Sequence, residues 1–349
     1  MYRRAIALNP NYALAYQHFS TMLTFLGRPE EALGLAERGV QLDPLSAMVN
    51  ASLGMCLEAL GRFDAAEAIY RKVIEIDPAM PRAYWQLSGF MASARNRYAD
   101  AVLLLEKSMA VSGTKDAEGL AGIYLDLDEA HAAQLIQAAR QRAPDSWPAL
   151  TAALYLYQGD REAALRIARQ LLERHPRNEE ALQWLRDADL VKGQAALART
   201  RYAKAYPEFF AKELPGGIDP LNTEIAIDLV PVLQQTGNVV RAGELLDRIK
   251  KQIRTMPRMG SFGYGITDAR IYALRGQEPE ALAALRAAER AGWREEWRYY
   301  RDFAPEFNSL RSQLEFKAVF ADIERDMARQ GAELAERLKK AELHQPAST

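Results

Sequence analysis

Chemistry in this 349-residue chain would have to come from few reactive side chains: four histidines, one cysteine, and arginines set among aromatics near the C-terminus. Metal sites on helices draw ligands three or four residues apart. His18, His131, His175 and His344 have no second histidine or cysteine at that spacing, so no metal is expected. Cys56 stands alone, which excludes an internal disulfide, and its neighbours Met55 and Leu57 mark it as a small packed hydrophobe. Gly260, Gly263 and Gly265 in MGSFGYG would cradle a phosphate only after a strand. Their surroundings read as helical, and a loop between helices is the expectation. No G-x-S-x-G elbow, phosphate-binding Walker loop or H-E-x-x-H motif occurs. Carboxylates interleave with arginines, as in ERDMAR, and are expected on solvent faces as pairs three or four residues apart. No enzyme activity and no cofactor are therefore expected.

The cluster Arg294, Trp297, Arg298, Tyr299, Tyr300 and Arg301 could stack on bases. Glu295, Glu296 and Asp302 cancel much of its field, and a hydrophobic cap with arginines reaching outward is the favoured reading. A secondary aromatic and arginine patch is assigned to Trp293, Trp297, Arg298 and Tyr300. Globally, 45 Lys and Arg against 46 Asp and Glu leave a net charge of -1, with no long-range field to gather nucleic acid or anionic lipid. No apolar run nears the roughly 18 residues a membrane helix needs, so neither membrane insertion nor direct nucleic-acid binding is expected, and the cytoplasm is the expected compartment.

The elements that would position these residues are announced by a repeat. Pro10, Pro44 and Pro78 lie 34 residues apart, in IALNPN, VQLDPL and IEIDPA. Five residues before them stand Ala5, Gly39 and Val73, and eight before stand Tyr2, Ala36 and Tyr70. Ala32 and Ala66 precede the later prolines by twelve, and Gly27 and Gly61 precede those alanines by five, in LGRPEEAL and LGRFDAAE. Glycine can turn left-handed to end a first helix, alanine lets two helices approach, and proline closes the second. Tyr16, Phe19 and Leu23, like Leu53 and Leu57, fall three or four apart as a buried stripe. The spacing predicts helix pairs at 12–26 with 29–42 and at 47–60 with 63–76. A third starts at Pro81, and its small residue, Ala101, arrives one position late, predicting a turn one residue longer. The punctuation returns at Gly159 and Ala164, at Gly193, at Gly237 and Ala242, and at Gly276 and Ala281.

This pattern resembles the tetratricopeptide repeat, strongly over residues 2–112 and more loosely over most of the chain. The resemblance implies an all-α fold: a right-handed superhelix of helix hairpins with a concave groove. The organisation expected is a regular array over 1–112 that opens in a half repeat, then divergent pairs over 113–205. A connector rich in proline and glycine, including Gly216, follows at 206–222, two further pairs at 223–292, an aromatic cap and final helix at 293–343, and a frayed tail at 344–349. The first helix of the opening repeat is missing, which leaves two readings open: Met1 is not the natural start, or the lone helix serves as a cap. Self-association through that edge is a further expectation.

A second resemblance covers the C-terminal end. Gly292-Trp293-Arg294, Trp297 and Leu310-Arg311 are similar to the tail of tetratricopeptide arrays in bacterial winged-helix transcriptional regulators and adenylate cyclases, and the junction Leu42-Asp43-Pro44-Leu45-Ser46 matches one common in that group. It implies a non-catalytic interaction or sensory module within a larger bacterial signalling or transcription-regulatory protein. Rival readings are a free-standing scaffold, or a ligand-binding domain or enzyme fragment using Trp293 to Phe307. Groove positions implied by the repeat family fall on Leu14, Gln17, Thr21 and Phe25, then Met48, Ala51, Met55 and Glu58, then Arg82, Trp85 and Gly89. The lysine and asparagine clamp of chaperone-binding relatives is replaced by Gln17, Thr21 and Ser52, so a carboxylate clamp is not expected. An apolar or amphipathic protein segment is the expected partner, with Trp85 as its anchor.

Overall fold

The computed structural model describes residues 1–114, 117–215 and 217–343. Gly216, His344 and the expected tail at 344–349 lie outside the described residues. Among the described residues there are nineteen α-helices and no strand. They run α1 (Tyr2–Leu8), α2 (Ala13–Phe25), α3 (Pro29–Leu42), α4 (Ala47–Ala59), α5 (Phe63–Ile76), α6 (Pro81–Arg95) and α7 (Tyr98–Ser112). Then come α8 (Glu118–Leu127), α9 (Glu129–Arg142), α10 (Pro148–Tyr157), α11 (Arg161–Arg174), α12 (Glu179–Val191) and α13 (Ala195–Ala205). The last are α14 (Thr223–Gln235), α15 (Val239–Ile253), α16 (Thr267–Leu274), α17 (Glu278–Ala291), α18 (Trp297–Asp302) and α19 (Leu314–Leu343). The fold is an all-α stack of antiparallel helix pairs.

The punctuation works as its chemistry requires. Gly27, Gly61, Gly159, Gly193, Gly237 and Gly276 all adopt positive φ at the turn between paired helices. The small residues Ala32, Ala66, Ala101, Ala164, Ala242 and Ala281 are each at most 1% exposed, because a larger side chain there would hold the two backbones apart. In the third pair the extra residue enters the helix and not the turn. α6 runs 15 residues against 13 for α2, and only Asn96 and Arg97 join it to α7. Asn96 itself takes the left-handed conformation, φ 51°, which asparagine tolerates better than other side chains carrying a Cβ. α1 buries no residue fully, yet Tyr2 stacks at 6.0 Å on Phe19 of α2.

The 206–222 segment holds one short 3-10 turn, Pro207–Phe210. It is packed, with Phe209, Leu214 and Ile218 buried, and α12 and α13 both reach α14 across it.

Past α15 the chain curls back across the hairpins that began it. The Ser261 N–H donates to Glu58 of α4 at 2.7 Å, the Gly260 N–H to the Ser93 carbonyl at 3.0 Å, and Phe262 meets Phe25 edge-on at 5.6 Å. The final helix α19 packs on α17 and also on α7 and α8. Its Gln330 accepts the Tyr98 N–H at 2.7 Å, Asp326 accepts from Asn96 at 2.8 Å, and Arg337 pairs with Asp100 at 2.7 Å. The aromatic segment caps the last pair and also bridges to the middle of the stack: the Trp297 indole N–H donates to the Asp126 carbonyl at 3.0 Å.

Candidate functional sites

The first candidate is the face formed by the first helices of the opening pairs. A shift of 34 residues superposes Leu14, Met48 and Arg82, then Gln17, Ala51 and Trp85, then Thr21, Met55 and Gly89. Leu14 is 41% exposed, Met48 40% and Trp85 58%, and Arg82 and Gly89 are exposed as well. Thr21 and Met55 are half-buried, and Ala51 is buried. A Cβ on Gly89 would meet nothing within 4 Å. Large apolar side chains thus alternate with small ones along the face, which makes a trough. Trp85 also borders a depression of about 730 Å³ with Arg82, Met109 and Leu120.

Three of the expected groove residues are engaged by the protein itself. Gln17 is buried and donates to Thr21 at 3.2 Å, leaving its carbonyl oxygen without a hydrogen-bond partner. Glu58 is buried and accepts from the Tyr70 hydroxyl at 2.7 Å as well as from Ser261, and burial pushes its carboxyl up. Phe25, though 42% exposed, has Phe262 at its edge. Cys56 is buried with its thiol donating to the Pro29 carbonyl at 3.1 Å, and burial pushes that thiol up to about 11, so it is no nucleophile.

The arginine and aromatic patch is not on the surface. Trp293, Trp297 and Tyr300 are 5%, 0% and 8% exposed, and Arg298 is half-buried with its Nε donating to the Leu125 carbonyl at 3.1 Å. Base stacking has no surface there.

Sequence reading put the carboxylates and arginines on solvent faces, and for a central group the structure overturns this. Arg186 and Asp187 of α12, Asp228 of α14, Arg270 of α16 and Glu306 of a 3-10 turn at Pro305–Phe307 are buried together. Arg186 lies 2.5 Å from Asp228 and 2.7 Å from Asp187, while Arg270 lies 2.7 Å from Asp228 and 2.6 Å from Glu306. The Tyr299 hydroxyl donates to Asp187, whose carboxyl burial pushes up to about 6 while Arg186 pulls it back. A visible signal existed: LRDADL, AIDLV and DARIYAL each carry a charge inside an apolar first helix.

Beside this network lies a recess of about 330 Å³, bounded by α12, α14, the 258–267 loop and the 293–300 segment. Glu179, Glu180, Glu224, Asp228, Glu295 and Glu296 line it. Burial, followed by the neighbouring carboxylates, pushes Glu179 up to about 7 and Glu296 well above the usual range. Glu179, Glu180, Glu224 and Glu295 are exposed to solvent, Glu296 is half-buried, and of the six only Asp228 is buried. Among the described residues no group of three or more histidine, cysteine or acidic side chains is disposed to hold a metal ion, and no helix is long and apolar enough to cross a membrane.

Residues 25–81 match the family model for the tetratricopeptide repeat. Over 78 residues the chain is 30% identical to the small glutamine-rich tetratricopeptide repeat-containing protein 2 of Mycosarcoma maydis. That stretch is 22% of this chain and 22% of the relative, so the match spans about a fifth of the relative's length. Among solved structures the chain is similar to YrrB, described as a TPR protein with an unusual peptide-binding site, at 17% identity and TM-score 0.35, covering 52% of this chain and 96% of that one. It is also similar to PilF of Pseudomonas aeruginosa, at 15% identity and TM-score 0.33, covering 68% and 90%. Helices α3 to α5, within residues 25–81, are thus similar to tetratricopeptide repeats.

Proposed function

We propose that this chain is a non-catalytic interaction scaffold that takes an apolar or amphipathic segment of a partner protein on the face of Leu14, Met48 and Trp85. One observation carries the reading. Leu14 and Met48 stay exposed one 34-residue repeat apart, and Trp85 stays exposed on the first helix of the next pair, three residues past their register at Arg82, an arrangement that costs solubility unless something covers it. Tryptophan and methionine suit the role, the first as an anchor and the second as a surface that adapts to its ligand. Thr21, Met55, Arg82 and Gly89 floor and flank the trough in this reading, whereas Ala51, Glu58 and Phe25 shape it from behind or at its closed end.

The scaffold works, in the same reading, inside a larger bacterial signalling or transcription-regulatory protein, for which the Gly292-Trp293-Arg294 tail is the support. The native size in source cells checks this: an immunoblot band well above 39.1 kDa is expected. The groove is tested by selecting binders from a displayed random-peptide library and measuring their affinity by fluorescence anisotropy. Selected peptides should lose on the order of tenfold or more in affinity for Trp85→Ala combined with Met48→Glu. Equal affinity for that variant, folded by circular dichroism, would place the binding surface elsewhere.

A further inference from the structure

The acidic recess carries a second, separate site. Of its six carboxylates, Asp228 is paired with Arg186 and Arg270, and Glu224 is paired with Arg270 at 2.7 Å. Glu179, Glu180, Glu295 and Glu296 have no arginine or lysine at ion-pair distance, and the recess's other arginines are committed elsewhere. Arg258 is bound to Asp268 at 2.6 Å, and Arg294 to Asp326 at 3.0 Å. The recess wall therefore carries a negative excess that the protein does not neutralise.

Three further side chains point to a ligand independently of that charge. Tyr98, Gln183 and Tyr300 line the recess and are 4%, 7% and 8% exposed, and among the described residues their hydroxyl and amide groups make no hydrogen bond, so they are left to whatever fills the recess. Buried polar groups are nearly always satisfied. These three come from α7, α12 and α18 and line the recess together with the carboxylates, a setting that suits a molecule rich in N–H donors. Trp293 and Tyr264 add aromatic wall, and Tyr264 already carries a cation over its face, the Arg258 guanidinium 4.7 Å from the ring centroid.

We infer that this recess binds a small organic cation with more than one ammonium group, of the polyamine class. Shape excludes the simpler alternative. A divalent metal needs at least three donors converging on one point, and among the described residues no such group exists. The unpaired acids instead come in two pairs from different walls, Glu179 and Glu180 on α12 and Glu295 and Glu296 before α18. Charges separated in this way suit an extended cation with nitrogens at both ends. A volume of about 330 Å³ falls at the lower end of ligand pockets, roughly 300–1,000 Å³. Glu296 is held for the purpose: it sits at φ 50° with its N–H donating to Asp126 at 3.1 Å.

The test is isothermal titration calorimetry of spermidine into the full chain at about 0.15 M salt, where surface charges are screened over ~8 Å. One saturable site is expected. Glu295→Gln with Glu296→Gln should weaken it by on the order of tenfold or more, and Tyr300→Phe by several-fold, each variant checked for folding by circular dichroism. The surface pair Glu173→Gln with Glu336→Gln should leave it unchanged. Absence of a saturable site in the wild type overturns the inference. So does equal weakening by the surface pair, or binding of a tetralysine peptide where spermidine fails. None of these outcomes bears on the groove around Trp85.

Discussion

The opening hairpins and the returning half of the molecule are built from the same helix pairs but held by different forces. In α2 to α7 the buried polar side chains are mostly neutral and serve their own helix: Ser20 donates to the Gln17 carbonyl at 2.9 Å, Thr24 to Ser20 at 3.0 Å and Ser52 to Val49 at 2.8 Å. Cohesion there is apolar packing between neighbours in sequence. From α12 onward, full charges are buried and meet across tens of residues, as Arg270 does with Glu224, Asp228 and Glu306. Apolar packing is tolerant of partner, whereas a buried charge accepts few partners and penalises every other arrangement. The repeated part can therefore be read one hairpin at a time. The returning part is specified by which distant charge finds which.

Removing one member of the buried network should break this contrast most severely. Arg270→Ala strands the buried Glu306 and leaves Asp228 with one arginine of two, and is expected to cost about 3–5 kcal/mol in urea unfolding, while Arg28→Ala, which opens the exposed pair with Glu31, should leave the unfolding midpoint where it is in the wild type. Comparable losses would mean that the two halves are held alike.

The pH profile of stability comes next. Burial first, then the charge of Glu295, pushes Asp126 up to about 7 from an ordinary value of 3.8. The folded state thus keeps a proton that the unfolded chain has released. Its contribution is fully present below about pH 4 and is lost as pH rises to about 7, at up to about 1.4 kcal/mol per pH unit. Asp126→Asn can still accept the Glu296 N–H, and its melting temperature should fall less steeply over that window. An unchanged slope would move the effect to Glu179 and the other recess acids.

Smaller changes probe the opening hairpins. A Cβ on Gly54 would fall 2.8 Å from the Tyr70 ring, so Gly54→Ala should cost about 1–3 kcal/mol by overpacking. Gly34, exposed within α3, has nothing within 4 Å of such a Cβ, and Gly34→Ala should stabilise by roughly 0.5–1 kcal/mol. Chemical denaturation of the two variants side by side reads both signs.

Local codes were legible because their physics is local. The six turn glycines, the alanines facing their partner helices and the closing prolines act within one hairpin, and the positions of α2 to α5 follow from them to within a residue or so. The third turn was misjudged because asparagine at position 96 took the left-handed role expected of glycine, and the helix absorbed the added residue. Leu14, Met48 and Trp85 are exposed, and engagement of Glu58 and Phe25 by residues 261 and 262 could not be read from either segment.

Residue order alone thus determined the hairpins and their spacing, since each depends on residues at most one repeat apart. Tertiary structure decided the rest. The curl brings Ser261 to Glu58, Gln330 to Tyr98 and Trp297 to Asp126 and closes the acidic recess against Ser93 and Tyr98, while the buried ion network forms between α12, α14, α16 and the 305–307 turn. Small angular changes at each hairpin add up along a stack, so where its two ends meet is a property of the sum. The partners of a buried charge are fixed by that sum and by no single repeat.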